Sequence, residues 1–303
     1  MRAVFVDANP TLGDLAERLH KSSDPAVSVN RNADVKPAEL PVVLGDAEIA
    51  WIDHTYLPTD VAKQCKGLKH VVFLGTGARS YMNVEELAAL GIEVHLIKGY
   101  GDTAVAECAF ALMWAASKSF AYMDRGMRAG NWLRMDGMQL TGKTVGLVGY
   151  GGIAAEMARL CLGAGMKVLA WNRSKKDAPE GVTFVELDQL LKLSHVVSMH
   201  LLLNDETRGF LSAERIAKMR PGAILVNTAR GAVVDEAAMI AALQSKQIGH
   251  AGLDVFDIEP LPKDHPLTKL DNVTLSAHSA FRTPEASENL IEAALNHTRR
   301  IAK

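Results

Sequence analysis

Short runs of β-branched and aliphatic residues alternate with amphipathic stretches along nearly the whole chain. Such runs predict strands, the amphipathic stretches predict helices, and their alternation is typical of βαβ units with parallel sheets. A first set of predicted strands comprises Arg2–Val6, Val27–Val29, Ile49–Ile52, Val71–Leu74 and Val94–Ile97. A second set comprises Thr144–Val148, Lys167–Trp171, Val196–Met199, Ile224–Asn227, Gly252–Val255 and Val273–Ser276. Two such sets predict two α/β domains.

Two long helical patterns predict how these domains are connected. Thr103–Ser119 is apolar-periodic and contains no Gly or Pro, so one helix can carry the chain from the first set of strands to the second. Glu285–Ala302 is amphipathic and lies beyond the last strand, so it can pack back on the first domain. We therefore expect a discontinuous first domain, 1–98 plus 284–303, with a continuous domain, 99–283, inserted into it.

The segment Asp124–Thr141 lies between the connecting helix and the next predicted strand. It is rich in Met, Gly and Arg, includes Trp132, and is too long for a tight turn. A plain surface loop and a contact between subunits both remain open.

Composition narrows the function classes without selecting one. Lys and Arg number 33 against 35 Asp and Glu, and with no basic run the chain is not expected to bind nucleic acid or a membrane surface. Cys65, Cys108 and Cys161 have neither a disulfide-type nor a metal-type spacing, which favours reduced, buried thiols and predicts no metal site. Met1–Asp7 is typical of a first strand rather than a signal peptide, so we expect a cytoplasmic protein.

A glycine turn opens the second set of strands. Gly149-Tyr150-Gly151-Gly152-Ile153-Ala154 follows a predicted strand and begins a predicted helix that extends to Cys161. In a βαβ unit this pattern is typical of a dinucleotide site, where the helix N-terminus and its N–H groups face a pyrophosphate. A merely structural tight turn is the alternative.

The residue after the second strand of such a unit selects the dinucleotide, because a carboxylate there binds a ribose 2′-hydroxyl and favours NAD(H). Here the turn reads Asn172-Arg173-Ser174-Lys175, and no carboxylate occurs before Asp177. Arg173 can pair with a 2′-phosphate and Ser174 can add a hydroxyl, so NADP(H) is predicted as preferred and NAD(H) stays possible. An ordinary solvated basic turn is the alternative.

Three strand ends of the second set carry charged residues in the segments Asn227–Gly231, Asp254–Pro260 and His278–Ala280. The carboxyl ends of the strands line the ligand crevice of an open α/β sheet. Reduction of a 2-oxo acid requires a cation to hold the carboxylate and polarise the carbonyl, and a proton donor. Arg230 has the fork geometry for the first task, and His278 can donate the proton while Glu259 stabilises the imidazolium. Each residue alone also has a structural explanation, but their order after a dinucleotide turn favours catalysis.

Together with the glycine turn, these segments resemble those of the D-isomer-specific 2-hydroxyacid dehydrogenases. Further similar segments are Leu68-Lys69, Gly75-Thr76-Gly77, Val105-Ala106-Glu107, Gly130-Asn131-Trp132 and Leu140-Thr141-Gly142-Lys143. The resemblance covers nearly the whole chain. It implies two Rossmann-like parallel-sheet domains, in which the dinucleotide-binding domain is inserted into a discontinuous, flavodoxin-like substrate domain. It also implies a homodimer joined through the cofactor domain.

The same resemblance implies roles for individual residues. Arg230 binds the substrate, His278 is the acid/base and Glu259 is its partner, while the backbone of Thr76 and Gly77 holds the substrate carboxylate. The implied cofactor contacts are Thr103, Gly149, Gly151, Gly152, Ile153, Asn172, Arg173, Ser174, Lys175, Leu201, Thr228, Ala229, Asp254, His278 and Ala280, with Asp254 near the carboxamide. The basic turn at Arg173 resembles the glyoxylate/hydroxypyruvate reductase branch, which favours NADPH.

These features predict an NADPH-preferring reductase of small 2-oxo acids to D-2-hydroxy acids. The loops around Trp51, Thr76 and Tyr100, together with Phe281, are expected to shape its substrate pocket. A dinucleotide-sensing corepressor and a phosphite-type dehydrogenase are the alternatives that keep the same trio. Formate dehydrogenases resemble this chain less, because a glutamine usually stands at the position of Glu259. A feedback-regulated 3-phosphoglycerate dehydrogenase is disfavoured because no serine-sensing domain is appended.

Overall fold

The computed structural model describes residues 1–174 and 176–303, which form two compact units. The first unit consists of Met1–Gly101 and Arg282–Lys303, and the second of Asp102–Phe281. The strands are β1 (Ala3–Phe5), β2 (Val27–Val29), β3 (Ile49–Ile52), β4 (His70–Phe73), β5 (Glu93–Leu96), β6 (Thr144–Val148), β7 (Lys167–Trp171), β8 (Val182–Phe184), β9 (Val196–Met199), β10 (Ala223–Asn227), β11 (Ile248–Leu253) and β12 (Val273–Leu275). The helices are α1 (Pro10–Leu19), α2 (Leu40–Leu44), α3 (Thr59–Ala62), α4 (Val84–Ala89), α5 (Asp102–Ser117), α6 (Phe120–Arg128), α7 (Gly152–Gly163), α8 (Leu187–Leu193), α9 (Ala213–Lys218), α10 (Glu236–Gln244) and α11 (Pro284–Ile301).

The first unit is a five-stranded parallel sheet in the order β2-β1-β3-β4-β5. This is the flavodoxin-like order. Leu40 and Leu87, from α2 and α4, pack on one face of the sheet. On the other face, Leu12 of α1 and Leu290 and Ile291 of α11 pack against the sheet. Because both faces are covered, the central strands β1 and β3 are continuous buried apolar runs rather than alternating ones, whereas the edge strand β5 carries Glu93 and His95.

The second unit is a seven-stranded parallel sheet in the order β12-β11-β10-β9-β6-β7-β8. Helices α5 and α7 cover one face, and α8, α9 and α10 cover the other. The strand order reverses between β9 and β6, and the crevice beyond the carboxyl ends of the strands at this reversal is where open α/β sheets bind their ligands. The two parallel sheets confirm the predicted α/β fold class.

Several elements differ from the prediction. Strand β11 begins at Ile248 and ends at Leu253, whereas Gly252–Val255 was predicted, because Gly249 and His250 interrupt the apolar run at its start. Strand β8, Val182-Thr183-Phe184 at the edge of the seven-stranded sheet, was not predicted.

The segment Asp124–Thr141, for which a plain surface loop was one of two open interpretations, begins inside α6. Ser119, just before this helix, is in a left-handed conformation with φ 53°. Only the later part of the segment is irregular, and there Trp132 is 74% exposed.

Trp51 corrects one expectation about the substrate pocket. Its side chain is fully buried within β3, beside Phe5, and its Nε1 donates a hydrogen bond of 2.8 Å to Oγ1 of Thr298 in α11. A ring held in the core in this way cannot line an open pocket. The sequence places Trp51 in a strand but does not reveal that α11 covers that face.

Among the described residues, no helix is both long and apolar enough to span a membrane.

Candidate active site

The glycine turn lies where β6 passes into α7, at the strand-order reversal. Gly149 has φ +90°, and a Cβ atom there would lie 2.7 Å from the backbone oxygen of His200, so both the conformation and the space require glycine. At Gly151, which caps α7, a Cβ atom would meet nothing within 4 Å. This open space beside the N–H groups of the helix N-terminus fits the pyrophosphate of a dinucleotide.

The turn after β7 is tied directly to the glycine turn. The Oδ1 atom of Asn172 accepts a hydrogen bond of 3.1 Å from the backbone N–H of Tyr150, and its Nδ2 donates to the Ser174 carbonyl and hydroxyl oxygens at 2.9 and 3.0 Å. Arg173 is solvent-exposed and forms an ion pair with Glu206. Lys175, the remaining predicted member of this turn, lies outside the described residues.

The predicted catalytic residues follow three neighbouring strands at the same edge of the sheet. Asn227 of β10 is in register with Leu253 of β11, which is in register with Leu275 of β12. Arg230, Glu259 and His278 follow these three strand ends in turn. The structure therefore brings the ends that carry the trio to one crevice of the second unit.

A hydrogen bond joins two members of the trio. The Nδ1 atom of His278 lies 2.6 Å from Oε2 of Glu259, whose Oε1 accepts a hydrogen bond of 2.9 Å from the backbone N–H of Phe256. With Nδ1–H donating to the carboxylate, Nε2 is the nitrogen that can exchange a proton with a bound molecule. The pair has the arrangement of a general acid oriented by a carboxylate.

Asp254 fixes the loop that carries His278. Its carboxylate is fully buried and accepts hydrogen bonds from the Ser276 hydroxyl at 2.6 Å and from the backbone N–H groups of Ser279 and Ala280 at 3.0 Å each. The backbone N–H of His278 donates to the Asp254 carbonyl at 2.7 Å, and His278 has the unusual φ of +47°. Asp254 thus holds the histidine loop, and its predicted contact with a carboxamide stays a prediction.

Asn227 fixes the turn that carries Arg230. Its buried side chain donates to the Arg230 carbonyl at 2.9 Å and accepts from the backbone N–H of Ala229 at 3.0 Å. The Arg230 guanidinium donates to the Ala229 carbonyl at 2.7 Å. A Cβ atom at Gly231 would lie 2.0 Å from the backbone carbon of Phe256, so only glycine lets this turn approach the segment that leads to Glu259.

One buried polar atom supports a bound ligand at this edge. The hydroxyl oxygen of Thr228, a predicted cofactor contact directly after β10, has no hydrogen-bond partner in the part of the chain that the structure describes. A ligand polar group would satisfy it. Together with the open space at Gly151, this atom shows that the residues present fit a dinucleotide.

Three further predicted cofactor contacts, Leu201, Thr103 and Ile153, lie at three different elements of the second unit. Leu201 follows β9 and reaches within 2.9 Å of a Cβ atom built at Gly149. Thr103 lies in the first turn of α5, and Ile153 lies in the first turn of α7. Removal from water lowers the pKa of His200, next to Leu201, to about 4, so this histidine is neutral.

Thr76 and Gly77, the predicted substrate-carboxylate contacts, belong to the first unit. They follow the carboxyl end of β4, after Leu74 and Gly75. Their N–H groups stand where strand ends bind ligands in this fold, and their role stays a prediction.

Several residues that shape the site were missed by the sequence reasoning. Glu206 pairs with Arg173 across 33 residues of sequence, and no local pattern indicates such a contact. Asp102 opens α5, and its carboxyl lies against Gly152; burial and the nearby Glu156 raise its pKa. The role of Asn227 in holding the turn could have been anticipated, since an Asn side chain at the end of a strand can hydrogen-bond to the backbone of the turn that follows.

The chain resembles proteins of known class over most of its length. Residues 110–280 match the family model described as D-isomer specific 2-hydroxyacid dehydrogenase, NAD binding domain. A hydroxypyruvate reductase of Thermotoga maritima is 36% identical over 258 residues, covering 83% of this chain and 84% of that protein. A glyoxylate reductase structure from Paecilomyes thermophila matches with a TM-score of 0.88 and 26% identity, covering 100% and 95% of the two chains. An acyclic imino acid reductase, in complex with NADPH and D-Arg, matches with a TM-score of 0.85 and 27% identity, covering 100% and 97%.

These similarities place the protein among the NAD(P)-dependent oxidoreductases. The particular family is also clear, because the family model matches more than half of the 303 residues. The chain belongs to the D-isomer-specific 2-hydroxyacid dehydrogenase family.

Proposed function

We propose that the protein is an NADPH-preferring reductase of small 2-oxo acids, with glyoxylate and hydroxypyruvate as leading substrates and D-2-hydroxy acids as products. The observation that carries the proposal is the 2.6 Å contact between His278 and Glu259, on strand ends adjacent to that of Arg230. The overall reaction consumes the 2-oxo acid, NADPH and one proton, and yields the 2-hydroxy acid and NADP⁺.

In this proposal each residue of the trio has one task. When bound, the reduced nicotinamide supplies the hydride that adds to the carbonyl carbon. Arg230 binds the substrate carboxylate and polarises the carbonyl through its planar guanidinium. His278 donates the proton from Nε2 to the carbonyl oxygen, and Glu259 stabilises the imidazolium through Nδ1. Thr76 and Gly77 are proposed as further carboxylate contacts on the family resemblance alone.

The residues proposed to hold the dinucleotide are those of the glycine turn, Thr228, and the turn around Arg173. The pyrophosphate would face the N-terminus of α7, beside Gly151. The 2′-phosphate would be bound by the Arg173 guanidinium and the Ser174 hydroxyl. Two features support NADPH: the turn has no carboxylate to accept a ribose 2′-hydroxyl, and its exposed arginine can form charge-assisted bonds with a phosphate.

Replacing Arg173 with alanine should raise the KM for NADPH about 10- to 100-fold and leave the KM for NADH nearly unchanged. The reason is that only NADPH offers a phosphate to the lost guanidinium. Steady-state kinetics with each cofactor at saturating 2-oxo acid measures the effect. Arg159→Ala is the matched control, since Arg159 is another exposed, ion-paired arginine of the same unit. Equal changes in both KM values for Arg173→Ala would contradict the assignment.

Glu206 provides the complementary variant. It pairs with Arg173, so a 2′-phosphate would have to compete with its carboxylate. Glu206→Gln should therefore lower the KM for NADPH and not that for NADH. Arg173→Ala and Glu206→Gln should thus change the KM for NADPH in opposite directions, which an effect on folding alone would not do.

We also propose a cytoplasmic homodimer. Trp132 and Met135 are exposed in the irregular segment after α6, and large apolar side chains on a surface segment are typical of subunit contacts. Cys65 and Cys161 are buried and unpaired, which suits a reducing compartment.

The substrate class is tested by NADPH oxidation against a panel of 2-oxo acids that includes glyoxylate, hydroxypyruvate and pyruvate, repeated with NADH. We expect turnover with the small 2-oxo acids and a higher kcat/KM with NADPH. Tight dinucleotide binding without turnover on any of them would contradict the reductase and favour a sensor of the corepressor type.

A further inference from the structure

A cluster of two histidines and a glutamate lies on adjacent strands of the first unit. His70 begins β4, while Glu93 and His95 belong to β5. The parallel register pairs His70 with Glu93. Because side chains alternate along a strand, Glu93 and His95 lie on the same side of β5. The register therefore brings together three residues that a sequence scan for closely spaced metal ligands passes over.

The three ligand atoms form a nearly equilateral triangle. The Nδ1 atom of His70 lies 3.2 Å from Nε2 of His95 and 3.6 Å from Oε2 of Glu93, and the last two atoms are 3.7 Å apart. Tetrahedral zinc, with bonds of about 2.0–2.2 Å, separates its ligand atoms by about 3.3–3.6 Å. Octahedral ligands at a similar bond length would lie closer, at about 3.0 Å. The observed triangle thus fits the tetrahedral arrangement better.

The site is open to solvent on the side of Glu93, and one cation lies near it: Arg300, whose guanidinium is 3.1 Å from Nδ1 of His297. The side chains of His70 and His95 are 21% and 17% exposed, whereas Glu93 is 68% exposed. The ring of His297, from α11, packs on that of His95 with centroids 5.7 Å apart and limits its rotation. The ring of His95 thus contacts those of both His70 and His297, and the exposed Glu93 carboxylate is accessible to an ion from solvent.

The chemistry of the three donors selects the class of ion. Two imidazoles and one carboxylate suit zinc and similar transition metals, whereas calcium and magnesium prefer oxygen ligands only. Without an ion, one of the two rings donates its N–H to the other across the 3.2 Å contact. An ion would replace that hydrogen, with the proton released to solvent.

We propose that His70, Glu93 and His95 bind a zinc-class divalent cation through Nδ1, one carboxylate oxygen and Nε2, with water as the fourth ligand. None of the three is among the residues proposed for substrate or cofactor, so the ion would be separate from the proposed active-site residues, and it would bridge β4 and β5 with one position left to water. This inference does not depend on the reductase proposal.

Calorimetric titration of ZnCl₂ into the full-length, tag-free protein, after treatment with a chelator, tests the site. We expect a single saturable zinc site per chain. His95→Gln and His70→Gln should each weaken zinc binding at least about 10-fold. This is the smallest loss of affinity typical of mutating a residue that merely supports a ligand, and these two residues are ligands themselves. His265→Gln is the matched control, because His265 contacts a carboxylate, that of Glu236, at 3.0 Å without belonging to the triad. It should bind zinc like the wild type.

Two further readouts separate coordination from damage to the fold. CoCl₂ bound in place of zinc should give the intense visible absorption of tetrahedral cobalt, and His95→Gln should lose it. Zinc should raise the Tm of the wild type and not that of Glu93→Gln, an exposed substitution that leaves the packing intact. Absence of saturable zinc binding in the wild type, or unchanged binding in all three triad variants, would overturn the proposal.

Discussion

Replacing His278 with alanine is expected to lower kcat for 2-oxo acid reduction by about 10²- to 10⁴-fold, the range that general acid catalysis contributes. The KM for NADPH should stay close to the wild-type value, because the glycine turn and the turn at Arg173 are unchanged. Steady-state kinetics with glyoxylate or hydroxypyruvate, combined with NADPH binding measured by fluorescence, gives both quantities.

A second variant is needed because the backbone conformation at His278 is unfavourable for alanine. With φ at +47°, this position is strained for alanine but is tolerated by asparagine, which favours the left-handed region. His278→Asn should therefore fold normally and show the same loss of kcat. Glu259→Gln should lose less, since it removes the partner of Nδ1 and keeps the proton donor. Near-normal turnover of His278→Asn would refute the proton-donor role.

Replacing Arg230 with alanine is expected to lower kcat/KM for the 2-oxo acid by about 30- to 4,000-fold, because removing one partner of a desolvated charge pair costs about 2–5 kcal/mol. The loss should include a raised KM for the substrate, since in the proposed mechanism the guanidinium binds the carboxylate before the reaction begins.

Arg230→Lys is the informative companion. It keeps the charge but loses the planar fork, so it should recover part of the substrate affinity and little of the carbonyl polarisation. The change in KM measures the loss of substrate affinity, and the change in kcat measures the loss of carbonyl polarisation. An Arg230→Ala enzyme with unchanged kcat/KM would exclude Arg230 from the substrate site.

The sequence predicts the elements that depend on local patterns. The strands before Gly149, Arg230 and His278 are short runs of mostly buried residues, which the sequence reveals. Each charged residue that follows such a run also has a structural explanation, and only the order of these residues after a glycine turn favours catalysis. The fold class also predicts that Arg230, Glu259 and His278 lie near one another, because parallel strands bring their carboxyl ends to one edge of the sheet.

What the sequence does not predict depends on contacts between distant segments. The ion pair of Arg173 with Glu206 and the triad of His70, Glu93 and His95 arise from packing and strand register, which no spacing rule encodes. The burial of Trp51 in the core also could not be predicted, since it depends on α11, more than two hundred residues away in the sequence.

We have proposed that the protein reduces a small 2-oxo acid to its D-2-hydroxy acid and oxidises NADPH. The most direct test incubates the purified protein with hydroxypyruvate and NADPH and analyses the glycerate formed by chiral chromatography. We expect D-glycerate, with one NADPH oxidised for each molecule produced. Formation of L-glycerate, or an absence of glycerate while NADPH is bound but not oxidised, would contradict the account.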